Sequence, residues 1–135
     1  MIKFRVWNKK TKSFIDDCDI VLDLISSKIY AGDIGLMDSV IDVTEQIILM
    51  QSTGLKDKNG VEIYVGDIVK GEQWLTTTMP AQIVDQVSYS ERNTMFYLGG
   101  ANESHDRFMH SLGNTIYQYE VVGNIYANPE LLSNP

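Results

Sequence analysis

QSTGLKDKNGVEIYVGDIVK, residues 51–70, reads as a turn, a short strand, a tight turn and a second strand. Asn59-Gly60 is the hairpin signal, because a type I′ turn needs positive φ at both central residues and Asn and Gly tolerate it best. Asp57, two residues earlier, is placed to accept hydrogen bonds from its own backbone and support the turn. Gly66-Asp67 is a second turn, and it hands the chain to the β-branched pair Ile68-Val69. Ile63 and Tyr64 lie between the two turns and have apolar bulk to bury. Turn glycines and β-branched residues need no ligand to explain them, so the stretch reads as architecture.

Working outward, the rest of the chain is mostly strand. Residues 2–7 alternate, with Ile2, Phe4 and Val6 on one face and Lys3, Arg5 and Trp7 on the other. The polar run 8–12 makes a turn, and residues 13–15 return as its partner. Residues 20–25 and 28–31 flank Ser26-Ser27 as a second hairpin. Residues 32–45 carry scattered apolar side chains and read as loop with a short helix or strand. Apolar content makes 46–51 a buried strand. Residues 81–89, 95–98 and 120–126 follow as strands, with Gly99-Gly100 stopping the second of these. Asn128 is an N-cap candidate with Pro129 at the first helical position, where its missing N–H costs nothing.

Many short strands joined by Gly, Asn and Asp turns define a mainly β fold, a barrel or sandwich. The Gly-Asp-Ile-Val start at Gly66 is similar to strand starts in small SH3-like barrels. The expected organisation is a small N-terminal β subdomain over residues 1–45 packed on an SH3-like or pseudo-barrel body over residues 46–135. One or two short helices complete it. The chain shows no internal repeat, low-complexity segment or linker.

Three separated blocks resemble the YopX-like proteins of phages and prophages of Gram-positive bacteria. The first is Ile2-Lys3-Phe4-Arg5-Val6-Trp7 with Asn8-Lys9-Lys10-Thr11-Lys12. The second is Thr53-Gly54-Leu55-Lys56-Asp57-Lys58-Asn59-Gly60 with Gly66-Asp67-Ile68-Val69. The third is Tyr119-Glu120-Val121-Val122-Gly123-Asn124-Ile125-Tyr126, closing with Asn128-Pro129-Glu130-Leu131-Leu132. They fall in the family's order and span both ends of the chain. The resemblance implies a mainly β fold and a phage or prophage origin. It implies no catalytic motif.

At 135 residues the chain is long enough to bury a core without metals or disulfides. A single cysteine, Cys18, excludes an internal disulfide and any multi-cysteine metal site, and fits a reducing compartment. The longest apolar run is too short to span a membrane, and no hydrophobic stretch follows the basic start as a signal peptide requires. The expected location is the cytoplasm of a bacterial host.

Charge is segregated. Residues 1–15 hold Lys3, Arg5, Lys9, Lys10 and Lys12 and no acid, whereas residues 16–45 hold eight acids against Lys28. A basic hairpin therefore belongs to a chain of net charge −7. Lysines at a hairpin tip protect edges against aggregation. The alternative use is phosphate contact, with Lys3, Arg5, Lys9, Lys10 and Lys12 on the backbone and Trp7 stacking on bases. The field of the whole chain repels nucleic acid and makes that the second choice.

Catalytic chemistry is thin. Glu103, His105, Asp106 and His110 form the best polar cluster, and Asp106 and His110 would be neighbours on a helical turn. Two histidines five apart face different ways on a helix, however, and no second ligand cluster completes a metal site. This segment reads as an exposed loop or short helix, docked by Phe108 and Leu112. Phosphate-loop and nucleophile-elbow spacings are absent. Asp16, Asp17 and Asp19 around Cys18 raise a thiol's pKa and make a poor nucleophile. Trp74, beside Thr76-Thr77-Thr78 and Met79-Pro80, lies in an exposed hairpin or loop that reads either as a partner-binding tip or as a loop with Trp74 folded onto the body. The expectation is a non-enzymatic protein with no cofactor and no metal. It would associate with itself or bind a host or phage protein. The alternative is a nucleic-acid module using the basic hairpin.

Overall fold

Turns opened by an Asn or Asp side chain follow five of the described strands, at Asn8, Asp23, Asp42, Asp57 and Asn124. The computed structural model describes residues 3–15, 19–32, 41–76, 79–91, 94–99, 110, 111 and 119–132. The fold is mainly β, with a sheet curled into a half-barrel. Its described helical structure is one 3-10 turn, Pro129–Leu131. The chain divides into two units, Arg5–Met50 and Met1–Phe4 with Gln51–Pro135.

In the unit Arg5–Met50, β1 (Phe4–Asn8) pairs antiparallel with β2 (Ser13–Phe14), Trp7 opposite Phe14. The Asn8 carboxamide turns the chain by accepting the Lys10 and Thr11 N–H groups at 2.9 and 3.3 Å. β3 (Asp19–Leu22) pairs with β4 (Ile29–Gly32), and β4 pairs with β5 (Ile41–Asp42). β6 (Ile47–Lys56) starts beside β1, where the Lys9 N–H meets the Gln46 carbonyl at 2.9 Å. Ile29, Val43 and Ile47 form the core, closed by Val6, Ile15, Ile20 and Leu49.

One turn here differs from the sequence expectation. Residues 23–25 do not extend the strand. The Asp23 carboxylate accepts the Ile25 and Ser26 N–H groups at 3.0 and 3.3 Å, and Ser27 donates its N–H to the Asp23 carbonyl at 2.8 Å. That local capture ends β3 at Leu22 and winds residues 24–26 into a turn, closed by Ser27 at φ 59°.

In the second unit, the later half of β6 pairs with β7 (Glu62–Tyr64). The expected turn at the start of residues 51–70 is strand instead. Ser52 faces Tyr64 and Lys56 faces Glu62, so extra residues on β6 are absorbed as a bulge with Gly54 at φ 78°. The Asn59-Gly60 hairpin forms, but not as type I′. Gly60 donates its N–H to the Asp57 carbonyl at 3.0 Å, and only Gly60, at φ 82°, has positive φ. Lys58 and Asn59 are therefore the central residues and Gly60 the bulge position of a three-residue loop.

β8 (Asp67–Thr76) and β9 (Met79–Ser90) make a long hairpin, the first of the two forms, hairpin or loop, expected around residues 74–80. β10 (Met95–Leu98) and β11 (His110–Ser111) extend the sheet on one side and β12 (Glu120–Asn124) on the other, giving the order β11-β10-β9-β8-β12. Ile63, Val69, Val87 and Tyr119 form its buried core. Pro129 opens the 3-10 turn as expected, but Asn128 does not cap it with its side chain. That carboxamide accepts the Asn124 N–H at 3.3 Å instead.

Candidate interaction surface

The second and third sequence blocks converge, and what they build is structural. Asp57, 6% exposed, accepts the Asn59 and Val61 N–H groups through one oxygen at 2.8 and 2.9 Å and the Val121 N–H through the other at 2.9 Å. Burial pushes its carboxyl pKa up, but the Val121, Val61 and Asn59 N–H groups outweigh this and hold it below the usual carboxylate value. Next to it, Lys58 donates its N–H to the Tyr119 carbonyl at 2.9 Å, and Ile125 donates to the Gly66 carbonyl at 2.9 Å. Buried Asp67 accepts the Tyr64 N–H at 2.9 Å. Asn124 turns the chain after β12 by accepting from Tyr126 and Ala127.

The basic hairpin residues have separate fates. Lys3 pairs with Glu62 at 3.1 Å, whose hydrogen bond and charge raise the lysine's pKa. The Arg5 guanidinium lies 4.5 Å over the Phe14 ring, and its Nε donates to Met50 Sδ at 3.2 Å. Trp7 is 4% exposed and packs edge-on against Phe14, with ring centroids 4.9 Å apart, so its face is not offered to a base. Lys9, Lys10 and Lys12 are exposed at the tip, and among the described residues none of them enters an ion pair.

The β3–β4 turn presents the most exposed bulky apolar side chains of the described residues. Leu24 is 84% exposed and Ile25 99%. Sequence pattern hid this tip, because two aliphatics after Ile20-Val21-Leu22 look like more strand. The one signal was Asp23, whose side chain competes for backbone N–H groups. β3 itself is an edge strand of its sheet among the described residues.

Beside that turn is an open cleft of about 420 Å³ lined by Lys28, Asp42, Thr44, Glu45 and Gln46. Asp42 accepts the Thr44 N–H at 2.9 Å and its hydroxyl at 2.5 Å, and Thr44 Oγ1 accepts the Ile29 N–H at 2.9 Å. These bonds hold the Asp42 carboxyl below its ordinary value, the Thr44 hydroxyl first, then its N–H. Glu45 is exposed.

Other sequence candidates fall outside what is described. Trp74 lies on β8 opposite Pro80 in register, but its side chain is outside the described residues, as are Cys18 and residues 103–109. His110 lies on β11 opposite Leu98, which places it in a strand. Among the described residues, no three His, Cys, Asp or Glu side chains gather as metal ligands. No described helix is long and apolar enough to cross a membrane.

Fold and surface together define a small β protein whose sequence signature holds its turns in place. The family model described as YopX protein matches residues 3–133, and the chain belongs to the YopX family. The match covers the three blocks from Lys3 onward and the segments between them. The chain is also similar to a solved structure, protein EF1440 from Enterococcus faecalis, at 28% identity and a TM-score of 0.63 over 98% of each chain. No curated protein matches.

Proposed function

We propose that this protein is a non-enzymatic, self-assembling interaction module, an accessory factor of a phage or prophage acting in the cytoplasm of its bacterial host. The carrying observation is the exposure of Leu24 and Ile25 at a turn whose backbone N–H groups Asp23 holds. Full burial of a Leu or Ile side chain is worth roughly 1.5–3 kcal/mol, and a turn whose backbone is already hydrogen-bonded has less conformational freedom to lose on docking. Within the family signature, the side chains of Asn8, Asp57, Asp67 and Asn124 are occupied in holding turns. Of the six residues named for nucleic acid, Lys9, Lys10 and Lys12 are exposed and enter no ion pair among the described residues, and three flexible ammonium groups bind phosphate without specificity.

Sedimentation of wild type and a Leu24→Ser/Ile25→Ser variant, each with and without duplex DNA, tests this. The expected result is concentration-dependent association of wild type, lost in the variant with its melting temperature unchanged, and no DNA-bound species at moderate salt. Association unaffected by the substitutions, or a DNA complex that dissolves as salt rises, overturns it.

A further inference from the structure

Opposite charges lie at the two ends of one continuous surface in the unit Arg5–Met50. The Lys9 N–H to Gln46 carbonyl bond puts the basic tip, Lys9, Lys10 and Lys12, at the border of the cleft, because Gln46 lines it. Lys28 lines the same cleft and accepts the Asp23 N–H at its carbonyl, 2.9 Å away, so the Leu24-Ile25 turn begins where the cleft ends. The order across the surface is three lysines without an ion pair among the described residues, then Asp42 and Glu45, then Asp23 with the apolar turn. Lys28 is the one cation among the described residues lining the cleft.

We propose that this surface binds a second copy of the chain about a two-fold axis, with the basic tip of each copy over the acidic cleft and apolar turn of the other. The inference rests on the interaction reading above and names the partner. A patch with plus at one end and minus at the other is complementary to itself when rotated by 180°, and each contact then occurs twice. Charges at such an interface set register and salt dependence, and the apolar turns supply the buried area.

A reciprocal charge swap tests it. One variant carries Lys9→Glu, Lys10→Glu and Lys12→Glu; the other carries Asp42→Lys and Glu45→Lys. If loss of the Asp42 bonds unfolds the second, Glu45→Lys/Gln46→Lys leaves those bonds intact and replaces it. By sedimentation, wild type is expected to dimerise roughly five-fold more weakly on passing from 50 to 300 mM salt. Each variant alone stays monomeric, and an equimolar mixture restores the dimer. A mixture that stays monomeric, variants that dimerise alone, a wild type that is monomeric at every concentration, or a salt-independent wild-type dimer overturns the two-fold tip-to-cleft contact. If Leu24→Ser/Ile25→Ser still abolishes association while the charge swap has no effect, the interaction module stands and only this geometry falls.

Discussion

The Asp57 carboxylate and the Val121 N–H lie 2.9 Å apart across 64 residues of sequence. One side chain both closes the β6–β7 turn and ties it to β12, the last strand. Asp57→Ala leaves three N–H groups without their acceptor, two of them in the turn and one on β12. The expected loss is ~2–4 kcal/mol in urea unfolding, with Asp57→Asn losing roughly half as much.

The same contact gives an acid dependence. The folded pKa of Asp57 is depressed, so its stabilisation is complete above the unfolded value of 3.8 and is lost as pH falls through the folded value. Wild type and Asp57→Asn should differ in melting temperature by a constant amount at neutral and mildly acid pH. The difference should close once the pH falls below 3.8. A gap independent of pH would show that the carboxylate charge contributes nothing.

Asp85 carries the opposite sign. Burial raises its pKa, partly offset by the Gln86 N–H, which it accepts at 2.8 Å. Its charged form is therefore disfavoured by folding, a penalty that grows as pH rises through 3.8 and levels off above the folded value. Asp85→Asn keeps an acceptor for Gln86 and should raise the melting temperature at pH 7 by roughly 2–5 °C, with no gain in strong acid.

Gly71 and Tyr119 pack so closely that a Cβ on Gly71 would meet the ring at 2.7–2.8 Å. Tyr119 is 2% exposed and cannot swing out without opening the core. Gly71→Ala should cost about 1–3 kcal/mol. Tyr119→Leu should cost less in the Gly71→Ala background than in wild type, as a double-mutant cycle would measure.

The turn geometry at residues 57–60 separates two glycine-turn types. Gly60→Ala puts a side chain at φ 82° with no steric neighbour and should cost about 1–2 kcal/mol. Asn59→Ala should be near neutral in denaturant unfolding, since Asn59 has no positive φ. Equal losses at both positions would point back to a type I′ turn.

The mainly β class and most hairpins were legible because apolar alternation and Gly-Asp turns report local geometry. Ser26-Ser27 and Asn59-Gly60 marked real hairpins for this reason. The ends of strands were harder, because one Asx side chain can outcompete a ladder: Asp23 cut β3 short and exposed Leu24-Ile25. The reverse happened at Thr53-Gly54, where a turn signal became a bulge inside a long strand. Trp7 looked available for stacking because its alternating partners are Lys3 and Arg5. Phe14, brought opposite by the return strand, buries it, and only pairing register reveals that.

Hydrogen–deuterium exchange on dilute and concentrated protein tests the central claim most directly. Docking through the β3–β4 turn predicts that concentration slows exchange at Leu24, Ile25 and the Lys9–Lys12 tip, while the amides of Val61 and Val121 keep the same rates. Protection gained only on the strands of the other unit, or no change with concentration, would contradict it.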